Sequence, residues 1–130
     1  MRLLLDTHAF LWWVAEQNLL GENARRAIGD RHNEVFASVV CAWEIVVKKK
    51  LSRLAVPDDV PKFIRGEIAW YGFSLLPLTL EHALRVHDLR DHPAHKDPFD
   101  RLLVAQALAE DMTLVSKDRV LDAYGVERVW

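Results

Sequence analysis

Short apolar runs alternate with longer segments of helical periodicity along the whole chain. Four of these runs are typical of buried strands, and a fifth candidate lies near the end of the sequence. Between the runs, apolar residues recur three or four positions apart, which is the spacing of one helix face. The predicted strands span residues 2–5, 35–37, 73–76, 113–115 and, as the fifth candidate, 126–129.

Signals for helix starts stand between the apolar runs. Ser38 and Thr79 are predicted N-caps, and Asp97-Pro98 begins the most regular helix in the sequence. Another helix is predicted after Asp6, where the first strand ends. The remaining predicted helices run from Gly21 or Asn23 to Ile28 and over residues 57–71.

Strands that alternate with helices predict parallel strands joined by crossover helices. We therefore expect an α/β protein, a three-layer α/β/α sandwich around a central, mostly parallel sheet of four to five strands. The sequence contains no repeat, low-complexity tract or linker, which predicts a single domain over residues 1–130. Ligands of such sheets bind beyond the carboxyl ends of the strands, so polar residues at those ends are the first candidates for function.

The composition narrows the class of protein. It is 51% hydrophobic and 28% charged, as in ordinary globular proteins. The apolar runs are shorter than the ~20 residues that a membrane span needs, and an acid at position 6 comes too early for a secretory signal, so we expect a cytoplasmic protein with no membrane partner. Cys41 is the only cysteine, and its apolar neighbours predict a buried thiol. A net charge of −2 argues against a passive nucleic-acid binder unless the acids hold cations.

Four acids are predicted to meet at one edge of the sheet. Asp6 ends the first strand, and Asp118 follows the fourth. Glu44 lies within the helix after the second strand, and Asp100 lies in the first turn of the most regular helix. Carboxylates held close together repel one another and resist joint ionisation. Mg²⁺ or Mn²⁺ removes that difficulty, because hard cations prefer oxygen ligands.

Each acid also has an ordinary structural interpretation. Asp6, Asp97 and Asp100 are suited to helix N-termini, Glu44 to a solvated helix surface, and Asp118 to the start of a turn. The acids together are a more specific signal of a cation site than each acid alone, because the ordinary interpretation requires several separate coincidences at one edge of the sheet. The sequence therefore favours a shared cation site.

Two other functions place an aspartate after the first strand. A haloacid-dehalogenase-like phosphatase needs a second aspartate two positions later, where this chain has His8. A receiver domain of a signalling relay needs an acidic pair after the first strand, and Thr7 does not provide it. The receiver fold also gives no reason for Asp97 and Asp100 to lie on a late helix.

Four sequence blocks resemble the successive motifs of PIN domains, in the family's order and over nearly the whole chain. The block at residues 97–107 is the most specific and is similar to VapC-type toxins of type II toxin–antitoxin systems. The resemblance implies a parallel sheet flanked by helices, an acidic metal site and cleavage of single-stranded or loop RNA. The blocks are Leu4-Leu5-Asp6-Thr7-His8, Ser38 with Trp43-Glu44-Ile45, Asp97-Pro98-Phe99-Asp100 with the helix that follows, and Leu114-Val115-Ser116-Lys117-Asp118.

The resemblance also implies roles for individual residues. The expected catalytic acids are Asp6, Glu44, Asp100 and Asp118, and the expected ligands of one or two Mg²⁺ or Mn²⁺ ions are Asp6, Asp100 and Asp118. Glu44 is a ligand, an orienting residue or a base acting through water, and Asp97 is an extra acid whose contact with metal stays open. Thr7 and Ser116 match the small polar positions that line the pocket. Such a site supports metal-assisted phosphodiester hydrolysis, and the implied partners are RNA, a cognate antitoxin and a second copy of the chain.

Basic residues provide weaker candidates for RNA binding. Lys48, Lys49, Lys50 and Arg53 form a cluster that either holds the RNA backbone or ends a solvated helix. Arg101 either pairs with an acid or contacts phosphate, and we favour the pairing.

Histidines and large apolar side chains are interpreted as structural. His87, His92 and His95 lie in a polar loop with no cysteine partner, which indicates a surface loop rather than a zinc site. For the tryptophans, packing in the core or a dimer is favoured over base stacking. Some members of one large apolar set should form an exposed patch for association. That set is Trp12, Trp13, Phe63, Ile64, Trp70 and Tyr71.

The main alternative is a catalytically silent PIN-like module that binds RNA or a protein. The complete set of acids argues against it, and a cleavage assay in the presence of metal discriminates between the two.

Overall fold

The computed structural model describes residues 1–93 and 95–130. The strands are β1 Arg2–Leu5, β2 Glu34–Ser38, β3 Ser74–Leu76, β4 Thr113–Val115 and β5 Arg128–Val129. The helices are α1 Thr7–Ala15, α2 Glu22–Gly29, α3 Val39–Lys50, α4 Val60–Tyr71, α5 Leu80–Arg85 and α6 Pro98–Glu110, and a 3₁₀ segment covers Arg119–Tyr124. The strands form one sheet in the order β3-β2-β1-β4-β5, and the four pairings between neighbours are parallel. The predicted α/β sandwich with four to five strands is confirmed.

The chain changes direction across the sheet at β1. β2 and β3 lie on one side of β1, and β4 and β5 lie on the other side. Leu5 is paired with Val115, and the Asp6 N–H donates to the Val115 carbonyl at 3.0 Å. The carboxyl ends of β1 and β4 therefore meet where the strand order reverses, which is the place where open α/β sheets bind ligands.

Alternate side chains of β1 supply the two halves of the core. Leu3 and Leu5 belong to a cluster with residues of α1, α2 and α4, whereas Leu4 belongs to a cluster with residues of α6. All three leucines are fully buried, because β1 lies in the middle of the sheet with helices over both faces. Residues of α3 contribute to both clusters, which sets this helix against the site edge of the sheet.

A buried polar contact fixes the two helices that carry Glu44 and Asp100. The Ser38 hydroxyl, which caps α3, donates to Gln106 Oε1 of α6 at 2.5 Å. Gln106 is fully buried, and its amide donates to the Pro77 carbonyl at 3.3 Å. Because a buried amide is costly unless it is hydrogen-bonded, this contact restricts how α3 and α6 can lie relative to each other.

The capping signals were predicted well, and some boundaries were not. Ser38, Thr79 and Asp97 are N-caps, as predicted. The helix predicted over residues 57–71 begins at Val60 instead, because the Asp59 side chain accepts the Lys62 N–H and caps it there. The third strand begins one residue later than predicted, at Ser74, and the fifth is reduced to two residues.

Two further findings concern residues outside the site. Cys41 is 3% exposed, so the prediction of a buried thiol is confirmed, and burial raises the pKa of that thiol. Over residues 1–93 and 95–130, none of the helices has the length and apolar content needed to cross a membrane.

Candidate active site

A pocket of about 490 Å³ opens at the carboxyl ends of β1 and β4. Its walls come from the two strand ends and from α1, α3 and α6. The structure brings all five predicted acids into this pocket: Asp6, Glu44, Asp97, Asp100 and Asp118. Three basic side chains, Lys48, Lys117 and Arg119, also line it. The acids therefore outnumber the bases around one small volume.

Ser116 links the acids at the two strand ends. Its hydroxyl is hydrogen-bonded to the Asp6 carboxylate, and its oxygen accepts the Asp118 N–H at 3.1 Å. Ser116 is fully buried, and Thr7 on the other side of the pocket is 4% exposed. Thr7 lines the pocket, whereas Ser116 lies behind the pocket wall and contacts Asp6 and Asp118 from there.

Three of the acids also cap helical segments. Asp6 accepts the Ala9 N–H at 2.8 Å, and Asp118 accepts the Val120 N–H at 3.1 Å. Asp97 accepts the N–H groups of Phe99 and Asp100 at 2.9 and 3.0 Å. In each case the capping atom is Oδ1. Capping and cation binding are therefore compatible, because a carboxylate has a second oxygen and the cap fixes its orientation.

Glu44 is held from two sides. It is 3% exposed, so its interpretation as a solvated helix residue is wrong. Its Oε1 accepts the Thr7 hydroxyl at 2.5 Å, and its Oε2 forms an ion pair with Lys48 Nζ at 2.5 Å. The pair is an i,i+4 contact along α3, and the hydrogen bond that Lys48 donates to Glu44 raises the pKa of Lys48. The charge of Glu44 is thus compensated within the protein.

The charges of Asp6 and Asp100 are less well compensated. Burial raises the pKa of Asp6 to about 6, although hydrogen bonds from Ser116 and Ala9 lower it. Burial also raises the pKa of Asp100, and the hydrogen bond to His95 opposes this effect. Both carboxyl groups are therefore more easily protonated than free aspartates.

The residues of the pocket fit a divalent cation. Oxygen donors of Asp6, Asp100 and Asp118 surround the space, and carboxylates are the ligands that Mg²⁺ and Mn²⁺ prefer. Burial disfavours the ionised forms of Asp6 and Asp100, and the charges of neighbouring acids add to this effect. A bound cation would stabilise the ionised acids.

Cation binding is expected to weaken as the pH falls through the pKa of Asp6. Asp6 must lose its proton to act as a ligand, and its pKa is about 6. The affinity for Mg²⁺ should therefore fall about tenfold between about pH 7 and about pH 5. Calorimetric titration at several pH values measures this change, and Asp6→Asn should remove most of it. An affinity that is constant over this range contradicts the pH prediction.

His95 is the largest departure from the sequence interpretation. The loop histidines were predicted to lie at the surface, and this is wrong for His95, which is 7% exposed. Its Nε2 lies 3.2 Å from Asp100 Oδ2, and its Nδ1 lies 2.7 Å from the Tyr124 hydroxyl. His87, by contrast, has a side chain that is 91% exposed. A third loop histidine, His92, forms an isolated bridge with His95.

The predicted RNA-binding cluster does not act as one unit. Lys48 faces the pocket and pairs with Glu44, whereas Lys49 donates to the Val56 carbonyl at 2.7 Å and pairs with Asp58. Lys50 and Arg53 are exposed. Of this cluster, Lys48 is the residue that lines the pocket.

Arg101 faces away from the carboxylate of its neighbour in sequence. It donates to the Arg90 carbonyl at 3.2 Å and to the Tyr124 hydroxyl at 3.1 Å. Its nearest acidic partner is Asp91, at 3.9 Å. The favoured pairing with an acid is present, but it is long and involves a loop residue.

Sequence reasoning missed two basic residues that line the pocket, Lys117 and Arg119, and one residue beside it, His95. Lys117 and Arg119 flank Asp118, so their position at the end of β4 was an available signal. The Lys117 ammonium lies 5.9 Å from the centre of the Trp12 ring, which also lines the pocket. His95 had no such signal, because it lies in a loop before α6 and reaches Asp100 only through the fold.

The sequence matches the family described as "PIN domain" over residues 3–127. A relative with a curated name, Ribonuclease VapC22 of Mycobacterium tuberculosis, is 28% identical over 94% of this chain and 91% of its own length. The family match covers nearly all of the chain, including every acid of the pocket.

Solved structures show the same fold. VapBC2 from Rickettsia felis, bound to a DNA fragment from its promoter, has a chain that superposes with a TM-score of 0.73 at 12% identity, covering 99% of this chain and 98% of that one. VapBC-5 from Mycobacterium tuberculosis is a member of the VapBC family of toxin–antitoxin systems. Its chain superposes with a TM-score of 0.62 at 20% identity, covering 98% of this chain and 97% of that one. At sequence identities this low, these superpositions show a shared fold and nothing more.

Proposed function

The chain belongs to the PIN domain family, and from that premise we propose that it is a divalent-metal-dependent endoribonuclease, the toxin of a VapBC-type toxin–antitoxin pair. The observation that carries the proposal is the convergence of Asp6, Glu44, Asp100 and Asp118 on one pocket where the strand order reverses. The similarity to a protein named Ribonuclease VapC22 supports RNA as the substrate.

The proposed roles follow from how each acid is held. Asp6, Asp100 and Asp118 would bind one or two Mg²⁺ or Mn²⁺ ions, and Asp97 stays a further candidate ligand. When bound, a divalent cation supplies Lewis-acid activation of water and of the scissile phosphate. Glu44 orients the site, because both of its oxygens already have partners, Thr7 and Lys48. The caps and the Ser116 contact hold the acids in place before the substrate arrives.

Basic and aromatic groups at the pocket suit a nucleic-acid strand. Lys117 and Arg119 lie beside the acids, where they can contact phosphates on either side of the scissile bond. The Trp12 ring lies next to Lys117 and presents a surface on which a base can stack. Stacking requires an unpaired base, so this arrangement favours single-stranded or loop RNA over a duplex.

The substrate class is tested with matched oligonucleotides. Wild-type protein with Mn²⁺ should cut single-stranded and hairpin-loop RNA, and should cut the DNA of the same sequence and a fully paired RNA duplex much more slowly. Asp118→Asn should cut none of them. A protein that binds these RNAs but leaves them intact with Mg²⁺ and Mn²⁺ is instead the silent binding module.

An antitoxin and a second copy of the chain are the proposed protein partners. The similar solved structures include a toxin–antitoxin complex from Klebsiella pneumoniae, which supports an antitoxin as a partner. The place that we propose for an antitoxin segment is a groove near the acids. Large apolar side chains also stay exposed on α3, α4 and α5, among them Trp43, Trp70 and Leu84 at 57%, 81% and 55%. Of the apolar set predicted to supply a patch, Trp12, Trp13, Phe63 and Ile64 pack against the core, and Trp70 is the exposed member.

Light scattering should show twice the mass of one chain at high micromolar concentration. Exposed apolar surface of this kind is normally covered by association. Trp70→Ser and Leu84→Ser test the α4 and α5 faces separately, and the variant on the dimer face should lower the mass toward that of a monomer. A wild-type monomer at high micromolar concentration contradicts the homodimer.

A further inference from the structure

His95 is a buried imidazole at the edge of an otherwise acidic pocket. Its ring packs edge-on against Tyr124, with 5.6 Å between ring centres, and it is 7% exposed. Its Nε2 points at Asp100, one of the proposed metal ligands, at 3.2 Å from Oδ2. The imidazole is buried and faces a carboxylate. Its position places a nitrogen ligand next to the oxygen ligands.

Three donor atoms come together at this point. One ligand atom from each of His95, Asp100 and Asp118 lies within 4.8 Å of the others. Bonds of ~2.0–2.2 Å from a metal to three ligands place the ligand atoms roughly 3–4 Å apart. The three groups therefore need only a small side-chain adjustment to share one ion.

The hydrogen bonds behind His95 suit a ligand. A metal-binding Nε2 requires the proton on Nδ1, and the Tyr124 oxygen lies 2.7 Å away to accept it. Tyr124 also accepts a hydrogen bond from Arg101, and its own hydroxyl hydrogen can go to the His95 carbonyl at 3.4 Å. With the proton on Nδ1, Nε2 has a free lone pair on the side of Asp100, and a bound ion takes the place of the hydrogen bond between Nε2 and Asp100. Outer partners of this kind commonly fix the ring of a metal-binding histidine.

We propose that His95, Asp100 and Asp118 form a binding position for a divalent transition-metal ion, with His95 Nε2 as a nitrogen ligand. The inference rests on the proposed metal-dependent function and adds a preference among metals to it. Mg²⁺ favours oxygen ligands, whereas imidazole suits ions such as Zn²⁺ and, more weakly, Mn²⁺. The protein therefore selects transition metals over Mg²⁺ at this position.

The test compares metals and variants by binding, without reference to activity. His95→Phe keeps the ring against Tyr124 and removes the nitrogen. Calorimetry should show that His95→Phe weakens Zn²⁺ and Mn²⁺ binding by at least about tenfold, while the affinity for Mg²⁺ changes less than about twofold. His87→Phe, at an exposed position, should leave all three affinities unchanged.

Pulsed electron paramagnetic resonance of bound Mn²⁺ detects the nitrogen directly. Coupling to ¹⁴N should be present in the wild type and lost in His95→Phe. His8 also lines the pocket, so His8→Phe is the matched control and should keep the coupling. If His95→Phe does not fold, His95→Leu takes its place in both measurements.

Two results would overturn the proposal. One is the absence of ¹⁴N coupling in wild-type protein that binds Mn²⁺, or its loss in His8→Phe. The other is an equal loss of Mg²⁺, Mn²⁺ and Zn²⁺ affinity in His95→Phe, which means that the ring only orients Asp100. Failure of the proposed function has a different signature: Mn²⁺ bound with ¹⁴N coupling, and no RNA cleaved with any metal.

Discussion

Asp6→Asn is expected to lower RNA cleavage by at least about a thousandfold while making the metal-free protein more stable. Loss of the carboxylate removes a proposed metal ligand, and a correctly placed cation supplies several kcal/mol of transition-state stabilisation. The stability gain has a separate origin. Burial raises the pKa of Asp6 to about 6, so the ionised form costs folding free energy. The asparagine oxygen can still accept the Ala9 N–H and cap α1.

The sign of the stability effect follows from the two pKa values. The folded-state pKa of Asp6 is about 6, and the ordinary value is 3.8. The cost of ionisation is therefore present above about pH 6 and disappears below about pH 4. Removing the charge should stabilise the protein by up to about 3 kcal/mol near pH 8, and this gain should shrink as the pH falls toward about 5.

Thermal unfolding measures the stability effect in metal-free wild type and Asp6→Asn across this pH range. A cleavage assay on the same samples measures activity. Asp58→Asn is the control, because the Asp58 side chain is fully exposed and does not line the pocket. Cleavage that persists in Asp6→Asn, or a variant that is less stable at high pH, would contradict the proposed role.

Lys48→Met is expected to destabilise the protein by about 2 kcal/mol. The substitution keeps most of the aliphatic stem and leaves the Glu44 carboxylate, 3% exposed, without its cation. Breaking a fully buried ion pair from one side costs about 3–5 kcal/mol. The Lys48 side chain is 30% exposed, so solvent reduces the effect.

A matched control stands next to Lys48 in the sequence. Lys49→Met removes an ion pair to a fully exposed acid, Asp58, together with a hydrogen bond to the Val56 carbonyl, and the ion pair itself should contribute less than about 1 kcal/mol. Chemical denaturation of both variants measures the difference. The double variant Glu44→Gln/Lys48→Met should recover much of the loss, because the unpaired charge is gone. Equal losses of stability in Lys48→Met and Lys49→Met would mean that the Glu44–Lys48 ion pair contributes no more than the Lys49–Asp58 pair.

The strands and the acids were predictable from the sequence because their signals are local. Three of the apolar runs end at a polar residue, Asp6, Ser38 or Ser116, and parallel strands bring those ends to one edge. Asp6 and Asp118 were therefore placed together without knowledge of the loops, and the structure puts both in the pocket. The caps at Ser38, Thr79 and Asp97 were predictable for the same reason, since they depend on a few neighbouring residues.

The contacts that the sequence did not indicate depend on packing between distant elements. The burial of Glu44 depends on how α3 packs against α1, which brings Thr7 within 2.5 Å. His95 lies beside Asp100 because its ring packs against Tyr124, which is distant in the sequence. The exposed Trp43 and Trp70 could not be told from core residues, because periodicity gives the apolar face of a helix and not what covers it.

The most direct test is chelation and metal add-back on the wild-type protein, with the ends of the RNA products identified. Cleavage should stop with a chelator and return with Mg²⁺ or Mn²⁺. Because water rather than the ribose 2′-hydroxyl is the proposed nucleophile, the products should carry no 2′,3′-cyclic phosphate. Cleavage that survives chelation, or products that end in a cyclic phosphate, would show that the acids at the end of the sheet are not responsible for the reaction.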